Sequence, residues 1–180
     1  SDWTNANNFG LLHLLNSSTL LSIIIGILLL DLVGAYLPHL VQHKVKLLWY
    51  IHIVHHTDQK VDTTTANRHH PFESIVRFVF TLAGIFISGA PIGLVLMYQS
   101  LSVILSQFNH ANIQISEKVD KALSYIIVSP NMHKVHHHFE LPYTDSNYGN
   151  IFSLWDRLFG TYMELSKNEI IYGIDTDVDE

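Results

Sequence analysis

The sequence contains no cysteine, and this absence excludes a disulfide framework, thiolate metal ligands and a cysteine nucleophile. Charged residues are also scarce: they make up 14% of the 180 residues, against about a quarter in an average soluble domain. Lys and Arg number 10 against 16 Asp and Glu, so the chain offers no basic surface for a phosphate backbone and we expect no nucleic-acid partner. The mean hydropathy of +0.20 favours a membrane protein or an unusually large buried core.

Two long stretches of the chain carry almost no charge. The first, residues 19–37, has Asp31 as its one charged residue, and as a helix it would be roughly 28 Å long, close to the hydrocarbon thickness of a bilayer. The second, residues 78–108, has no charge and is interrupted by Ser88-Gly89-Ala90-Pro91, which predicts two helices and a turn. We therefore predict an all-α fold of integral membrane helices, with buried helices of a soluble bundle as the alternative.

The positions of the basic residues predict the orientation of the chain. Every Lys and Arg, beginning with Lys44, follows the first apolar stretch, so the positive-inside rule places the segment after Pro38 on the cytoplasmic side. If the second stretch enters the membrane and returns, 12 of the 13 histidines lie on that same face, and His13 is the exception. We expect a cytosolic helical cap that carries these histidines.

The ends of the chain give weaker indications. No basic segment precedes the first apolar stretch, so we do not expect a cleaved signal peptide. The chain begins with Ser1 rather than Met, and one interpretation is a fragment that lacks an upstream helix. We treat residues 1–180 as a single domain and expect the acidic residues at 175–180 to form a solvated end.

Histidines recur at helical spacing. A pair four residues apart is followed by two His-x-x-His-His triplets. These eight residues are His39, His43, His52, His55, His56, His133, His136 and His137. Because positions i, i+3 and i+4 of a helix lie within a narrow arc, we expect each triplet to direct three imidazoles at one point. The second triplet follows Ser129-Pro130, which is typical of a helix N-terminus.

Eight imidazoles in three groups predict metal binding. Imidazole without thiolate suits iron, zinc, copper or nickel better than magnesium or calcium. One metal accepts at most about six ligands and a catalytic metal keeps one position open, so the count indicates two metals. We add His110, which ends the second apolar stretch, and His70 as candidate ligands. His69, His138 and His13 are set aside.

Asp31 lies eight residues before His39, about two helical turns deeper in the predicted membrane span. A charge at that depth costs at least about 2.5 kcal/mol on insertion scales unless it has a partner. We expect the Asp31 carboxylate to orient a ligand histidine through its second ring nitrogen.

Seven motifs occur together in a characteristic order. They are Asp31 through Tyr36 to His39 and His43, LWYIHIVHH at 48–56, RHHPFE at 68–73, NHAN at 109–112, SPNMHKVHH at 129–137, NYG at 147–149 and LWDRLFGT at 154–161. Over roughly residues 27–164 the chain resembles the fatty acid hydroxylase and sterol desaturase superfamily of membrane di-iron oxygenases. The last two motifs resemble segments that brace the C-terminal part against the histidine helices.

The resemblance implies two irons, for which zinc can substitute in a purified sample, with O₂ as co-substrate. The implied reaction is hydroxylation or desaturation of a C–H bond in a fatty acyl, sterol or related membrane lipid. Electrons would come from an external donor, such as a cytochrome b-type protein, a ferredoxin or a reductase, because no nucleotide-binding glycine motif occurs. Carried over position by position, the implied metal ligands are His39, His43, His52, His55, His56, His70, His110, His133, His136 and His137.

Two other classes of protein stay open. A zinc-dependent membrane hydrolase would need a carboxylate base in a motif such as H-E-x-x-H, and the sequence has none. A non-catalytic membrane metal-binding protein would keep the same histidines. An oxygenase of this kind is expected to hold an apolar cavity beneath the metals that accepts an acyl or sterol chain.

Overall fold

A computed structural model describes residues 2–15 and 17–174 of the chain, so the acidic end at 175–180 lies outside the described residues. Within the described ranges the chain is helical and has no β-strand, which confirms the predicted all-α class. The α-helices are α1 (Asp2–Ala6), α2 (Leu11–Leu14), α3 (Thr19–Asp31), α4 (Leu37–Lys44), α5 (Lys46–His56), α6 (Pro71–Ser88), α7 (Ile92–His110), α8 (Glu117–Leu123), α9 (Pro130–His136) and α10 (Leu154–Phe159).

The first apolar stretch forms a helical run that continues past its apolar end. Ser18 caps α3 by accepting a hydrogen bond from the Leu21 N–H at 3.4 Å. A π-helical segment, Leu32–Tyr36, then joins α3 to α4, so the helical run extends from Thr19 to Lys44. Pro38 follows the widened π-helical turn. Because proline lacks an N–H and crowds the preceding turn, the wider turn lets the helix continue through it.

The second apolar stretch forms the two helices that were predicted. Helix α6 ends at Ser88, and α7 begins at Ile92. Gly89 between them has a φ of 70°, a left-handed conformation that glycine adopts without strain. A Cβ there would lie 2.3 Å from the Phe9 carbonyl oxygen. The N-terminal segment with His13 therefore packs against this turn, at the far end of α6 and α7 from the other histidines.

Among the residues that the structure describes, three helical segments are long and apolar enough to cross a membrane: Thr19–Lys44, Pro71–Ser88 and Ile92–His110. Their outward faces carry large exposed apolar side chains, such as Phe78, Leu96 and Ile104. The inner faces of α3 and α7 pack together around Leu30, Leu94 and other buried residues. This arrangement brings the start of α6 and the end of α7 to the same end of the helices as α4.

Helices α5, α8, α9 and α10 form a cap over that end, and the two C-terminal motifs hold it in place. Asp156 of α10 accepts hydrogen bonds from the backbone N–H groups of Tyr148 at 2.7 Å and Gly149 at 2.9 Å. Asn147, with a φ of 51°, donates to the carbonyls of Met132 and Met163 at 2.9 Å each. Asn147 thus braces its motif against the histidine helix α9, as expected, and Asp156 ties the second motif to the first.

Candidate metal centre

Nine histidines converge where α4, α5, α7 and α9 meet, and they form two groups. Within each group, one ring nitrogen of every histidine lies within 4.8 Å of the others. Site A consists of His39, His43, His52, His56 and His136. Site B consists of His55, His110, His133 and His137. The sites adjoin each other, since the rings of His56 and His137 stack with centroids 4.7 Å apart.

Each His-x-x-His-His triplet is divided between the two sites, so the prediction that a triplet aims at one point is wrong. The first and last histidines of the α5 triplet belong to site A, and the middle one belongs to site B. In the α9 triplet, the first and last histidines belong to site B, and the middle one belongs to site A. The reason is helical geometry: i+4 lies about 40° from i on one side, whereas i+3 lies about 60° away on the other. Two facing helices can thus each serve two metals.

Helix caps fix the position of α9. Ser129 accepts a hydrogen bond from the Met132 N–H at 3.3 Å, as expected for an N-cap residue. The same hydroxyl donates to Asp120 at 2.8 Å, and Asp120 also accepts from the Asn131 N–H at 3.0 Å. Helix α8 therefore anchors the start of the helix that contributes to both sites.

In site A, hydrogen bonds at Nδ1 leave Nε2 free. His39 Nδ1 donates to the Tyr148 carbonyl at 2.8 Å, and His136 Nδ1 donates to the Ser146 carbonyl at 2.7 Å. A carbonyl only accepts, so the proton of each neutral ring is on Nδ1. The Nε2 atoms of all five site A histidines are buried without a hydrogen-bond partner among the described residues. Such atoms are costly to bury unless they bind something, and a metal ion fits them.

In site B, the ring nitrogens converge on His110. Its Nδ1 lies 2.8 Å from the Ser106 carbonyl, and its Nε2 lies 3.2 Å from His55 Nε2, 3.0 Å from His133 Nε2 and 3.3 Å from His137 Nε2. The Nε2 atom of His110 can share only one proton or one lone pair, so it cannot form hydrogen bonds with all three of these ring nitrogens at once. Nitrogens bound to one tetrahedral metal at 2.0–2.1 Å lie about 3.3 Å apart. The donor set of site B therefore also fits a metal ion.

The protonation state of the histidines agrees with metal binding. Burial, reinforced by the neighbouring imidazoles, holds the pKa values of His55, His56, His133 and His137 well below their usual range. Burial lowers the pKa of His136 to about 3. These rings are neutral at pH 7, and neutral imidazole is the form that binds metals.

Glu73 is a member of the centre that sequence reasoning missed. Its buried Oε1 lies 3.2 Å from His52 Nδ1 and 3.0 Å from His69 Nδ1. The His69 ring stacks on His55 of site B with centroids 4.8 Å apart. Glu73 thus contacts site A directly, and His69, which was set aside, connects it to site B. The spacing of four residues between His69 and Glu73 was the available signal.

The histidines outside the two sites have other partners. His70 Nδ1 accepts a hydrogen bond from the Phe72 N–H at 3.3 Å and caps α6, so the structure does not bring this candidate ligand to either site. His138 Nδ1 accepts from the Ile171 N–H at 3.0 Å. Nine of the ten histidines proposed from the sequence therefore come together.

The predicted contact between Asp31 and a ligand histidine is wrong. Asp31 accepts hydrogen bonds from Trp155 Nε1 at 2.9 Å and from the backbone N–H groups of Ile151 at 3.3 Å and Phe152 at 3.2 Å. Eight helical residues rotate a side chain about 80°, and the π-helical segment between Asp31 and His39 changes that rotation further. Asp31 therefore holds the C-terminal segment against α3.

Two adjoining cavities lie beside the centre. A small chamber of about 40 Å³ is lined by histidines of both sites, including His39 and His110. A larger cavity of about 350 Å³, called here the side cavity, lies between α6 and α7. The predicted apolar cavity is only partly found, because hydroxyl, amide and guanidinium groups line the side cavity together with apolar side chains.

The fold and the site define a helical membrane protein with a polyhistidine metal centre. The fatty acid hydroxylase family matches residues 23–161, most of the chain, and the chain therefore belongs to this family. The resemblance drawn from the motifs is thereby confirmed.

Curated relatives include an ornithine lipid hydroxylase of Rhizobium tropici, 24% identical over 140 residues that cover 78% of this chain and 41% of the relative. Two alkylglycerol monooxygenases are also similar. The protein from Danio rerio is 30% identical over 145 residues, and that from Homo sapiens is 26% identical over 144 residues. Each alignment covers 78% of this chain and 30% of the relative. The chain thus spans less than half the length of these relatives. No solved structure matches it.

Proposed function

We propose that the chain forms the membrane-embedded core of an O₂-dependent lipid hydroxylase with two irons. The observation that carries the proposal is the convergence of nine histidines in two adjoining groups, with buried ring nitrogens that lack ordinary partners within residues 2–15 and 17–174. The ligands of one iron would be the five histidines of site A, and those of the other the four of site B. His70 is left out because it caps α6.

Bound iron would supply the activation of O₂ needed to oxidise an unactivated C–H bond. The protein's own groups orient the metal ligands and exclude water. The carbonyls of Tyr148 and Ser146 hold two rings with Nδ1 protonated, so that Nε2 faces the site. Glu73 fixes the His52 ring through Nδ1. Burial keeps bulk water away from the small chamber, where a substrate carbon would be oxidised.

The three helices that could span a membrane support a lipid substrate, which would enter from the bilayer. The names of the relatives, an ornithine lipid hydroxylase and alkylglycerol monooxygenases, support hydroxylation over desaturation. Electrons would come from a separate donor protein. We infer that the histidine end faces the cytoplasm, because the basic residues follow the first span.

The test begins with purified chain reconstituted with Fe(II). We expect about two irons per chain and O₂ consumption that requires both a chemical reductant and a lipid, with a hydroxylated lipid as product. His136→Ala should abolish lipid oxidation while the protein stays in the membrane fraction. His138→Ala is the matched control, since His138 lies outside both sites.

Three outcomes would overturn the proposal. One metal or none in folded, iron-loaded protein would contradict two sites. Two metals without O₂ consumption would indicate a non-catalytic metal-binding protein. Lipid hydrolysis by zinc-loaded protein, without O₂ uptake by the iron form, would indicate a hydrolase.

A further inference from the structure

The side cavity gives direct access to the histidines. The π-helical segment forms its inner wall through Gly34 and Ala35, and α6 and α7 form its sides. It shares Ala35, Ala66, His69 and two further residues with the small chamber of the metal centre. A group held at the inner end of the side cavity is therefore next to the histidines of both sites.

Both helices turn polar side chains toward this cavity, although each is apolar enough to cross a membrane. The lining includes Ser74, Arg77 and Thr81 of α6 and Gln99, Ser106 and Gln107 of α7. On each helix these residues recur at helical spacing, so they form one polar stripe per helix. The two stripes face each other across the cavity.

Several of these polar groups have no partner inside the protein. Within residues 2–15 and 17–174, the Thr81 hydroxyl and the side-chain amides of Gln99 and Gln107 make no hydrogen bond. Unpaired polar groups at membrane depth are costly unless water or a ligand satisfies them. The cavity wall thus offers hydroxyl and amide groups to whatever occupies the cavity.

Arg77 adds hydrogen-bond donors close to the metal centre. Its Nη1 lies 3.7 Å from Glu73 Oε1 and 3.5 Å from His69 Nε2. Its side chain is 40% exposed. A guanidinium has five N–H donors, so these contacts leave donors available to the cavity. A charged residue in an apolar helix is expected to serve a function.

Glycine keeps the inner end of the cavity open. A Cβ added at Gly34 would lie 3.5 Å from both the Thr81 Oγ1 and the Tyr98 hydroxyl oxygen, so any side chain larger than a methyl group would occupy this space. The outer rim is apolar by contrast. Phe78 and Val103 line the cavity and are 61% and 59% exposed on the outward faces of α6 and α7. The cavity is therefore polar inside and apolar at its rim.

We propose that the side cavity binds the polar end of an amphiphilic lipid, while the hydrocarbon chain leaves past Phe78 and Val103 toward the bilayer. The recognised groups are hydroxyl, ether, ester or amide oxygens, which the hydroxyl and amide side chains and Arg77 can bind. This proposal rests on the proposed function and specifies its substrate class. The carbon presented to the histidines lies within a few bonds of the polar group and not in the middle of an acyl chain.

The test measures equilibrium binding of two tritiated lipids to the purified full chain in detergent, loaded with Zn²⁺ so that no lipid is oxidised. The probes are 1-O-hexadecylglycerol and hexadecyl propyl ether, which share the chain and the ether oxygen but differ by two hydroxyl groups. We expect the glycerol ether to bind at least about tenfold more tightly, the effect of one or two good hydrogen bonds. The double variant Thr81→Val, Gln99→Leu should remove most of that preference.

Two variants outside the cavity serve as controls. Ser100→Ala changes an exposed hydroxyl of α7, and Thr63→Val changes an exposed loop threonine. Both should keep the preference. Equal affinity of the unmodified chain for the two ethers would overturn the proposal and leave a water-filled vestibule, even if the double variant failed to fold. If the two ethers bound equally but the iron-loaded chain still hydroxylated lipid, the cavity proposal would be wrong and the proposed function would stand.

Discussion

Sites A and B contain similar ligands but are supported differently. In site A, four of the five Nδ1 atoms lie within 3.3 Å of groups outside the histidine cluster: the carbonyls of Tyr148 and Ser146 and the carboxylates of Asp145 and Glu73. The fifth, that of His56, has no hydrogen-bond partner among the described residues. In site B, the Nδ1 atoms of His55, His133 and His137 have no hydrogen-bond partner among the described residues. Within the described part of the chain, only His110 of site B has an outside Nδ1 contact, to the Ser106 carbonyl at 2.8 Å, so the geometry of site B should depend more on the metal.

This difference also appears in the number and source of ligands. Site A has five histidines from α4, α5 and α9, whereas site B has four from α5, α7 and α9. A site with a spare ligand and fixed rings tolerates the loss of one ligand better than a site with neither. The comparison therefore predicts that the metal of site A is held more tightly.

The largest effect is expected from removing one ligand of site B. His110→Ala takes away the nitrogen on which the other three converge, so we expect loss of one of the two metals and of all lipid oxidation. His43→Ala leaves four imidazoles in site A, so both metals should remain, with weaker binding. Metal content by mass spectrometry and O₂ uptake measure both effects. Loss of metal from His43→Ala but not from His110→Ala would reverse the comparison.

Acid should affect the two sites together, because both bury neutral imidazoles. The folded-state pKa of His136 is about 3, against an ordinary value of 6.5. The unfolded chain therefore binds protons below about pH 6.5 that the folded chain does not bind. The free energy of unfolding of the metal-free chain falls as pH drops through this window, by a few kcal/mol for one such group. Above pH 6.5 the group adds no pH dependence.

Thermal unfolding of the metal-free chain in detergent between pH 7.5 and pH 4.5 checks this expectation. A midpoint that stays constant over the range would contradict buried neutral histidines. Metal release measured over the same range should show both metals leaving in one narrow interval. Release at two well-separated pH values would show that the sites differ in protonation as well as in support.

Glu73→Gln tests the outer support of site A. The amide keeps the shape of the side chain but removes the charge near His52, so the metal of site A should bind about 10- to 100-fold more weakly. The metal of site B should change less, since Glu73 reaches it only through the stacked His69. Chelator competition gives both affinities, and Glu117→Gln on the exposed face of α8 is the matched control. Equal weakening at both sites would remove the distinction.

His70→Ala should have the smallest effect. It removes the cap of α6, which is worth about 1 kcal/mol, and both metals should stay bound. Thermal unfolding and metal content measure these effects. Loss of one metal would show that His70 is a ligand, as the resemblance implied, and that the position of its ring changes when metal binds.

Several features could be predicted from the sequence because they depend on neighbouring residues. Ser129-Pro130 starts α9, Gly89 ends α6, and the apolar stretches form the long helices, since caps, turns and hydrophobic length are local properties. The histidine spacing likewise identified eight of the nine histidines that the structure brings together, and His110 followed from its position at the end of an apolar stretch.

Other features could not be predicted, because they depend on how the helices face one another. The roles of Glu73 and Asp31 followed from contacts between segments far apart in sequence: Asp31 meets Trp155, 124 residues later. His70 has the same residue type and neighbourhood as His69, yet only His69 lies against the centre. Residue type and spacing do not distinguish such pairs.

The sequence alone determined that this is a helical membrane protein of one family, rich in histidines at metal-binding spacing and without thiolates. Those conclusions follow from composition, helical periodicity and motif order. Only the tertiary structure decided how the histidines divide between two sites and which carboxylates support them. It also decided that the adjoining cavity carries polar groups. The physical reason is that a helix fixes the angles between its own side chains, whereas the packing of α4, α5, α7 and α9 fixes where those side chains meet.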